Sequence, residues 1–204
     1  KVNGVLPNPI DTDLFAPRPI ERTDHRFRIV STGNLSARKG SDLLLDAVLR
    51  LPETLDWSLT IYGDHNNRAP FARWLDDPKA AGRIVLPGKV TQEQLAQGYS
   101  ESDLYVVSSR IETANVSMLQ AMACGAAVVT TRIRAPETLL DDSVSRSVPV
   151  DDPQAMAEAI DFMAQNRHRF QRAAMRRYVV DRFSKIPAAK KMRAAYRAAL
   201  SARR

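Results

Sequence analysis

A chain of 204 residues, 44% hydrophobic and 26% charged, has the composition of an ordinary globular protein with room for one sizeable core or two very small ones. No apolar run approaches the ~20 residues that cross a bilayer, and the opening stretch 1-KVNGVLPNPID-11 lacks the apolar centre of a secretory signal. The formal charge is +7, yet zinc-finger spacing, a helix-turn-helix pattern and aromatics interleaved with cations are all missing, so nucleic acid is not an expected partner.

In chain order, residues 1–26 carry Pro7, Pro9, Pro17 and Pro19 among Asn, Asp and Arg, and read as an extended connector rather than a packed element. The first residue is Lys1, and the chain reads as part of something longer. From residue 27 short apolar runs alternate with helical patterns. The runs 27-FRIVSTG-33, 58-SLTIYG-63, 83-RIVLPG-88, 103-DLYVVSS-109, 126-AAVVTT-131 and 146-RSVPV-150 predict strands, several of them continuously apolar as strands covered on both faces should be. Between them SDLLLDAVLRL (41–51) and QEQLAQGYS (92–100) have helical periodicity, with Ser41 and Thr91 as N-caps. SMLQAMACG (117–125) closes at Gly125, and 153–166 is an amphipathic helix with Pro153 in its first turn after Asp152.

Cys124 is the single cysteine, so no intrachain disulfide forms and a reducing compartment is expected. Its small-residue context, AMACGAAVV, reads as that of a buried thiol, not a nucleophile. His25, His65 and His168 show no ligand spacing, and no zinc site is expected. Residues 167–204 are helical apart from a break near Pro187, and Asp181 is their only acid. That basic block is either a footprint for nucleic acid or an anionic membrane, of which the missing motifs disfavour the first, or the solvated face of terminal helices.

Strand and helix in alternation predict a Rossmann-like α/β fold, a parallel sheet of about six strands with helices on both faces. The expected organisation is a connector over 1–26, a ligand-binding domain over 27–166 and basic helices over 167–204. Such sheets bind ligands beyond the carboxyl ends of their strands, near a topological switch point. Polar and glycine residues concentrate there: 33-GNLSARKGS-41, 63-GDHNNR-68, 88-GKVTQ-92, 108-SSRIETANVS-117 and 131-TRIRAPE-137. In the first of these, Arg38 and Lys39 precede a glycine and a helix start, a combination suited to phosphate, although both also read as exposed loop cations. The dinucleotide pattern G-x-G-x-x-G and the P-loop spacing are both absent, which disfavours a nicotinamide enzyme. Glu112 follows a strand end and leads into the helix that carries Gln120. Both side chains and the free N–H groups of Val116, Ser117, Met118 and Leu119 can converge on one ligand, the carboxylate on vicinal hydroxyls and the helix start on phosphate. The plainer reading makes Glu112 a surface acid and Gln120 an ordinary helix residue.

Taken together, PNPIDTDLFAP (7–17), GNLSARKGSDLLLDAV (33–48), LTIYGD (59–64), IVLPGKVTQEQLAQGYSESDLYVVSS (84–109), the Glu112-x7-Gln120 helix with AMACGAAVV, APETLLDD (135–142) and VPVDDPQAMAEAI (148–160) resemble the carboxyl-terminal, donor-binding domain of GT-B-fold retaining glycosyltransferases of the group 1 superfamily. The resemblance implies a Lys39 that contacts the donor diphosphate and a Glu112 that binds hydroxyls of the transferred sugar, the pair expected to carry catalysis. It implies substrate contacts from the Gly33–Asn34 turn, from Asn115 to Met118 at the helix start, from Gln120 to the ribose, and from the backbone near Lys89 and Val90 to the nucleobase. The implied chemistry moves a hexose from a nucleotide diphosphate sugar to an acceptor hydroxyl with retention, with no cofactor and no obligatory metal, and positive charge on the departing diphosphate supplies much of the catalysis. The acceptor, a glycan or a lipid-linked sugar, would meet a separate amino-terminal domain, so this chain alone is expected to bind weakly and transfer nothing. The implied place is cytoplasmic, with peripheral contact at the inner membrane face. Four departures stand out: Asn34 replaces the family's phosphate-contacting Arg, with Arg38 the cation available to substitute. Gln120 replaces a second Glu, Thr113-Ala114-Asn115 replaces Gly-Phe-Gly, with Asn115 the residue that tolerates positive φ, and DDSVSRS (141–147) replaces a glycine-bearing loop. A non-catalytic nucleotide-sugar sensor is the alternative reading. A sugar-nucleotide epimerase is a weaker one, since Glu112 stands nearly alone where proton transfer would need several groups.

Overall fold

A computed structural model describes residues 8–134 and 139–201. Among them six strands run Phe27–Thr32 (β1), Trp57–Tyr62 (β2), Ile84–Gly88 (β3), Leu104–Val107 (β4), Ala127–Thr131 (β5) and Ser145–Val148 (β6). They pair in parallel in the order β3-β2-β1-β4-β5-β6, so the Rossmann-like α/β fold expected from the alternation is the fold observed. Every residue of β4 and β5 is buried, the consequence of apolar runs sheathed by helices on both sides. The edge strand β3 alternates between half-buried and exposed positions, and its Val85 is 48% exposed.

The helices are α1 (Ser41–Leu49), the short α2 (Ala72–Leu75), α3 (Gln92–Glu101), α4 (Val116–Ala123), α5 (Pro153–Gln165), α6 (Arg172–Phe183) and α7 (Lys185–Ser201). Helix α1 packs beside α5, and α4 packs between α3 and α6, as right-handed crossovers leaving β1 and β4 in opposite directions require. Thr91 caps α3 through a capping box with Gln94, and Asp152 accepts from Ala155 N–H at 2.8 Å ahead of Pro153. Ser41 is not a cap. The N-cap of α1 is Gly40, in the left-handed region at φ 61°, and Ser41 is the first helical residue, its Oγ accepting from Ser36 N–H. Helix α2 and the 3-10 turns at 69–71 and 78–80 fill the β2–β3 connection, where the sequence shows no periodicity long enough to mark them. The break in the terminal helices falls at Ser184. Pro187 sits in the first turn of α7, where a missing N–H costs nothing.

Residues 8–26 form no helix or strand and turn at 12–15, where Phe15 N–H donates to Asp11 O at 3.0 Å, and the segment is stitched to the domain. Ile10 and Phe15 are buried, Ile10 N–H donates to Phe183 O at 2.8 Å, and Arg22 pairs with Asp103 at 2.9 Å. Arg176 from α6 donates to Phe15 O and Thr12 O, both at 3.1 Å. Helix α6 buries Met175, Val179 and Phe183, whereas α7 buries none of its residues. Arg172 fixes the start of α6: its guanidinium donates to the carbonyls of Ser100, Ser102 and Cys124. Replacing Arg172 by Met would leave those carbonyls without their charged donor. The Arg172→Met chain should lose about 3 kcal/mol in urea unfolding, and a loss below ~1 kcal/mol would show that the clamp is dispensable.

Candidate functional site

The strand order reverses between β1 and β4, whose loops therefore leave the sheet in opposite directions and open a crevice at their carboxyl ends. A cavity of about 300 Å³ occupies that crevice. Thr32 and Tyr105 lie along its base, Lys39 and Glu112 on its wall, and Asn115, Val116 and Ser117 at the start of α4. The connector adds Asn8. A second cavity of about 590 Å³ opens beyond β1 against Gly33, Asn34, Arg38 and Asp64, and Lys39 borders both.

Lys39 Nζ and Glu112 Oε1 are 2.5 Å apart, and Ser109 Oγ donates to the same carboxylate oxygen at 2.7 Å. The carboxylate is 9% exposed and the lysine side chain 25%. The lysine stem lies along Gly33, where a Cβ would stand 3.3 Å from its Cε. The two loops touch at Gly40: a Cβ there would fall 1.9 Å from Ser108 O, and Ser108 Oγ donates to Lys39 O at 2.8 Å. No side chain fits at this crossing, and the left-handed φ of Gly40 adds a second reason for glycine.

Hydroxyls line the strand ends. Ser31 Oγ donates to Val106 O at 2.9 Å, Thr131 Oγ1 to Ser109 O at 2.5 Å, and Thr32 Oγ1 bonds Tyr105 OH at 2.6 Å. Burial pushes the Tyr105 phenol above its ordinary value, so it stays a neutral hydrogen-bonding group. Ser109 and Thr131 fall in the polar stretches marked from the sequence, whereas Ser31, Thr32 and Tyr105 do not, although the ST pair closing the first strand run was an available signal. Cys124 is fully buried, and burial raises its thiol to about 11.

The structure gathers Lys39, Glu112, Asn115, Val116 and Ser117 around one cavity, and Gly33, Asn34, Arg38 and Lys39 around its neighbour. Asn115 adopts φ 40° and caps α4 by accepting from Met118 N–H at 3.2 Å. That bond corrects one expectation: the Met118 N–H is already partnered, and the Met118 side chain is buried in the core. Gln120 is half-buried one turn beyond Val116 and lines neither cavity. Lys89 and Val90 also lie outside both, and Lys89 pairs instead with Asp64 at 2.9 Å, holding that carboxyl below its ordinary value. Asn34 Oδ1 accepts from Asp64 N–H at 3.2 Å and so ties two site loops together. Arg38 is exposed. Residues 135–138 of the APETLLDD motif lie outside the described residues. Among the described residues no three His, Cys, Asp or Glu side chains are grouped as metal ligands.

A parallel sheet with a polar cavity at its switch point is the arrangement in which open α/β domains carry their ligand sites. The family description "Glycosyl transferases group 1" matches residues 26–166, and the chain belongs to that family. It is 31% identical over 180 residues to the GDP-mannose-dependent alpha-(1-6)-phosphatidylinositol monomannoside mannosyltransferase of Mycolicibacterium smegmatis, covering 79% of this chain and 47% of that protein. The carboxyl-terminal domain of a group 1 glycosyl transferase from Francisella tularensis superposes with a TM-score of 0.70 at 21% identity, over 84% of this chain and 96% of that one. Anabaena HepE, solved with UDP and glucose, superposes with a TM-score of 0.80 at 17% identity, over 96% and 57%. The chain spans about half or less of the curated relatives it matches, 47% and 35% of the first two.

Replacing Gly40 by Ala forces a methyl into Ser108 O and an alanine into the left-handed region. The expected loss is about 2–4 kcal/mol in denaturant unfolding, and a neutral outcome would show that the two loops separate freely.

Proposed function

We propose that the chain is the donor-binding half of a sugar transferase that moves a hexose from a nucleotide diphosphate sugar to an acceptor hydroxyl with retention. The observation that carries this reading is the placement of Lys39 and Glu112 on one wall of the switch-point cavity, beside the start of α4. A helix start and a lysine suit a diphosphate, and a carboxylate anchored by Ser109 suits vicinal sugar hydroxyls. As the glycosidic bond breaks, charge grows on the leaving diphosphate, and Lys39, with exposed Arg38 as the next cation, stabilises it without a metal. The acceptor and a second domain complete the site. The mannosyltransferase relative acts, by its name, on a phosphatidylinositol mannoside, which supports a lipid-linked acceptor and an enzyme that works at a membrane face, on its cytoplasmic side in this proposal. Among the described residues no helix is long and apolar enough to cross a membrane.

A nucleotide-sugar sensor is the second reading, favoured by the partners that site groups already hold. Asn34 is committed to Asp64, and Gln120 stands off the cavity. Sugar transfer by this chain joined to its second domain would reject the sensor.

Calorimetry with uridine and guanosine diphosphates, their hexose conjugates and the bare nucleosides tests both readings, and wild-type chain that binds none of them would reject both. Lys39→Ala should weaken diphosphate binding by about 1–3 kcal/mol and leave the nucleosides alone. Equal losses on diphosphate and nucleoside would remove Lys39 from the phosphate site. Glu112→Gln releases Lys39 from its partner, so bare diphosphate should bind as well or better while the sugar conjugate binds less well. A fall for both ligands would make Glu112 structural.

A further inference from the structure

Lys39 and Glu112 sit on loops that belong to different halves of the sheet, and a single arginine joins those loops. Arg110 lies two residues before Glu112. Its Nη1 donates to Asp42 Oδ1 at 2.9 Å and its Nη2 to Asp42 Oδ2 at 2.8 Å, a two-pronged grip on the first turn of α1. Nη1 also reaches Ala37 O, and the Arg110 backbone N–H donates to Arg38 O at 2.9 Å. The guanidinium therefore holds residues on both sides of Lys39. Its Nε donates to Asp151 Oδ1 at 2.7 Å, which ties in the turn ahead of α5, where Asp151 occupies φ 61°.

Three features separate this arrangement from an ordinary surface ion pair. The fork is bidentate and planar, a geometry lysine cannot reproduce. The guanidinium faces two carboxylates, which leaves no spare positive charge for an anion and argues against Arg110 as a ligand-binding cation. The side chain is 29% exposed, so solvent screening keeps its contribution to global stability small. What it fixes is local: the path of 37–40 relative to 108–112.

We infer that Arg110 is a positioning residue, which sets Lys39 against Glu112 by clamping the Ala37–Gly40 turn and Asp42 to the loop after β4. This rests on the reading of the cavity as a diphosphate site. Asp42 is held below its ordinary carboxylate value chiefly by its bonds to Arg110, in keeping with a pair that stays ionised at neutral pH.

The test compares wild-type chain with Arg110→Ala, Asp42→Asn, Lys39→Ala and the Arg110→Ala/Lys39→Ala double variant. The probes are uridine and guanosine diphosphate with the matching nucleosides. Arg110→Ala should weaken diphosphate binding about tenfold and leave nucleoside binding within about twofold, and the double variant should bind little worse than Lys39→Ala alone. Amide exchange supplies a ligand-free readout. The Gly40 and Ser41 N–H groups, bonded to Ala37 O and Ser36 O, should exchange about tenfold faster in Arg110→Ala while β5 stays protected. Additive losses in the double variant, or a fall in β5 protection equal to that of the turn, would overturn the inference by making Arg110 a general stabiliser. Unchanged turn exchange would overturn it outright. If wild-type chain binds neither diphosphate, the diphosphate reading fails and the exchange arm alone decides whether Arg110 sets the loop. Should Arg110→Ala not fold, Asp42→Asn releases the same fork and is read by the same criteria.

Discussion

The site depends on one close approach, that of the Gly40 backbone to the Ser108 carbonyl. Parallel strands that part at a switch point send their loops away from each other and leave a crevice, and groups on the two loops meet there only if something draws the loop tips back together. Here the absence of a Cβ at Gly40 allows backbone-to-backbone contact, and Ser108 Oγ then reaches Lys39 O. Lys39 precedes the contact by one residue and Glu112 follows it by four. The chain crossing thus brings the two candidate catalytic groups within reach of each other, and the Arg110 clamp and their mutual attraction refine the distance.

The strand ends around the crossing share a chemistry. A buried carboxyl end of a parallel strand exposes carbonyls that no helix covers, and each needs a donor. Ser31, Ser108 and Thr131 supply those donors from side chains, bonding Val106, Lys39 and Ser109 carbonyls respectively. Thr32 and Tyr105 bond each other at the cavity base. The floor of the crevice is therefore polar but satisfied, and Tyr105, kept neutral by burial, adds no charge to compete with an anion.

Five of the six strands were legible as short apolar runs ended by Gly, Ser or Thr, whereas RSVPV at β6 has no such stop, and only β4 and β5 are buried throughout. What escaped shows where local signal ends. Ser41 looks like a cap by residue type, yet the left-handed turn at Gly40 takes the position because the crossing with Ser108 demands glycine there. Pro187 looks like a break, yet the chain turns three residues earlier, where Ile10 bridges to Ser184. In the site, Lys39 and Glu112 were legible from loop position and from the family pattern. Arg110 was not, because its partners Asp42 and Asp151 lie 68 and 41 residues away. An arginine between a strand end and a site carboxylate is too common a pattern to single out without the fold.

The Lys39–Glu112 pair gives the cavity a neutral resting charge, and its two members are not equally held. Glu112 keeps Ser109 on the oxygen that Lys39 also uses and is 9% exposed, so it is anchored from within the protein. Lys39 is 25% exposed, its stem runs along the open Gly33 backbone, and it borders both cavities. An arriving diphosphate would therefore draw the lysine away from the carboxylate rather than the reverse. The carboxylate it leaves remains oriented by Ser109 and gains acceptor capacity for sugar hydroxyls, since a bond to an ammonium is exchanged for vacancies facing the ligand. On the donor-binding reading, recognition of the diphosphate and recognition of the sugar are then linked through a single proton donor. Asn34 carries no charge, so on that reading the positive charge facing the diphosphate rests on Lys39, with exposed Arg38.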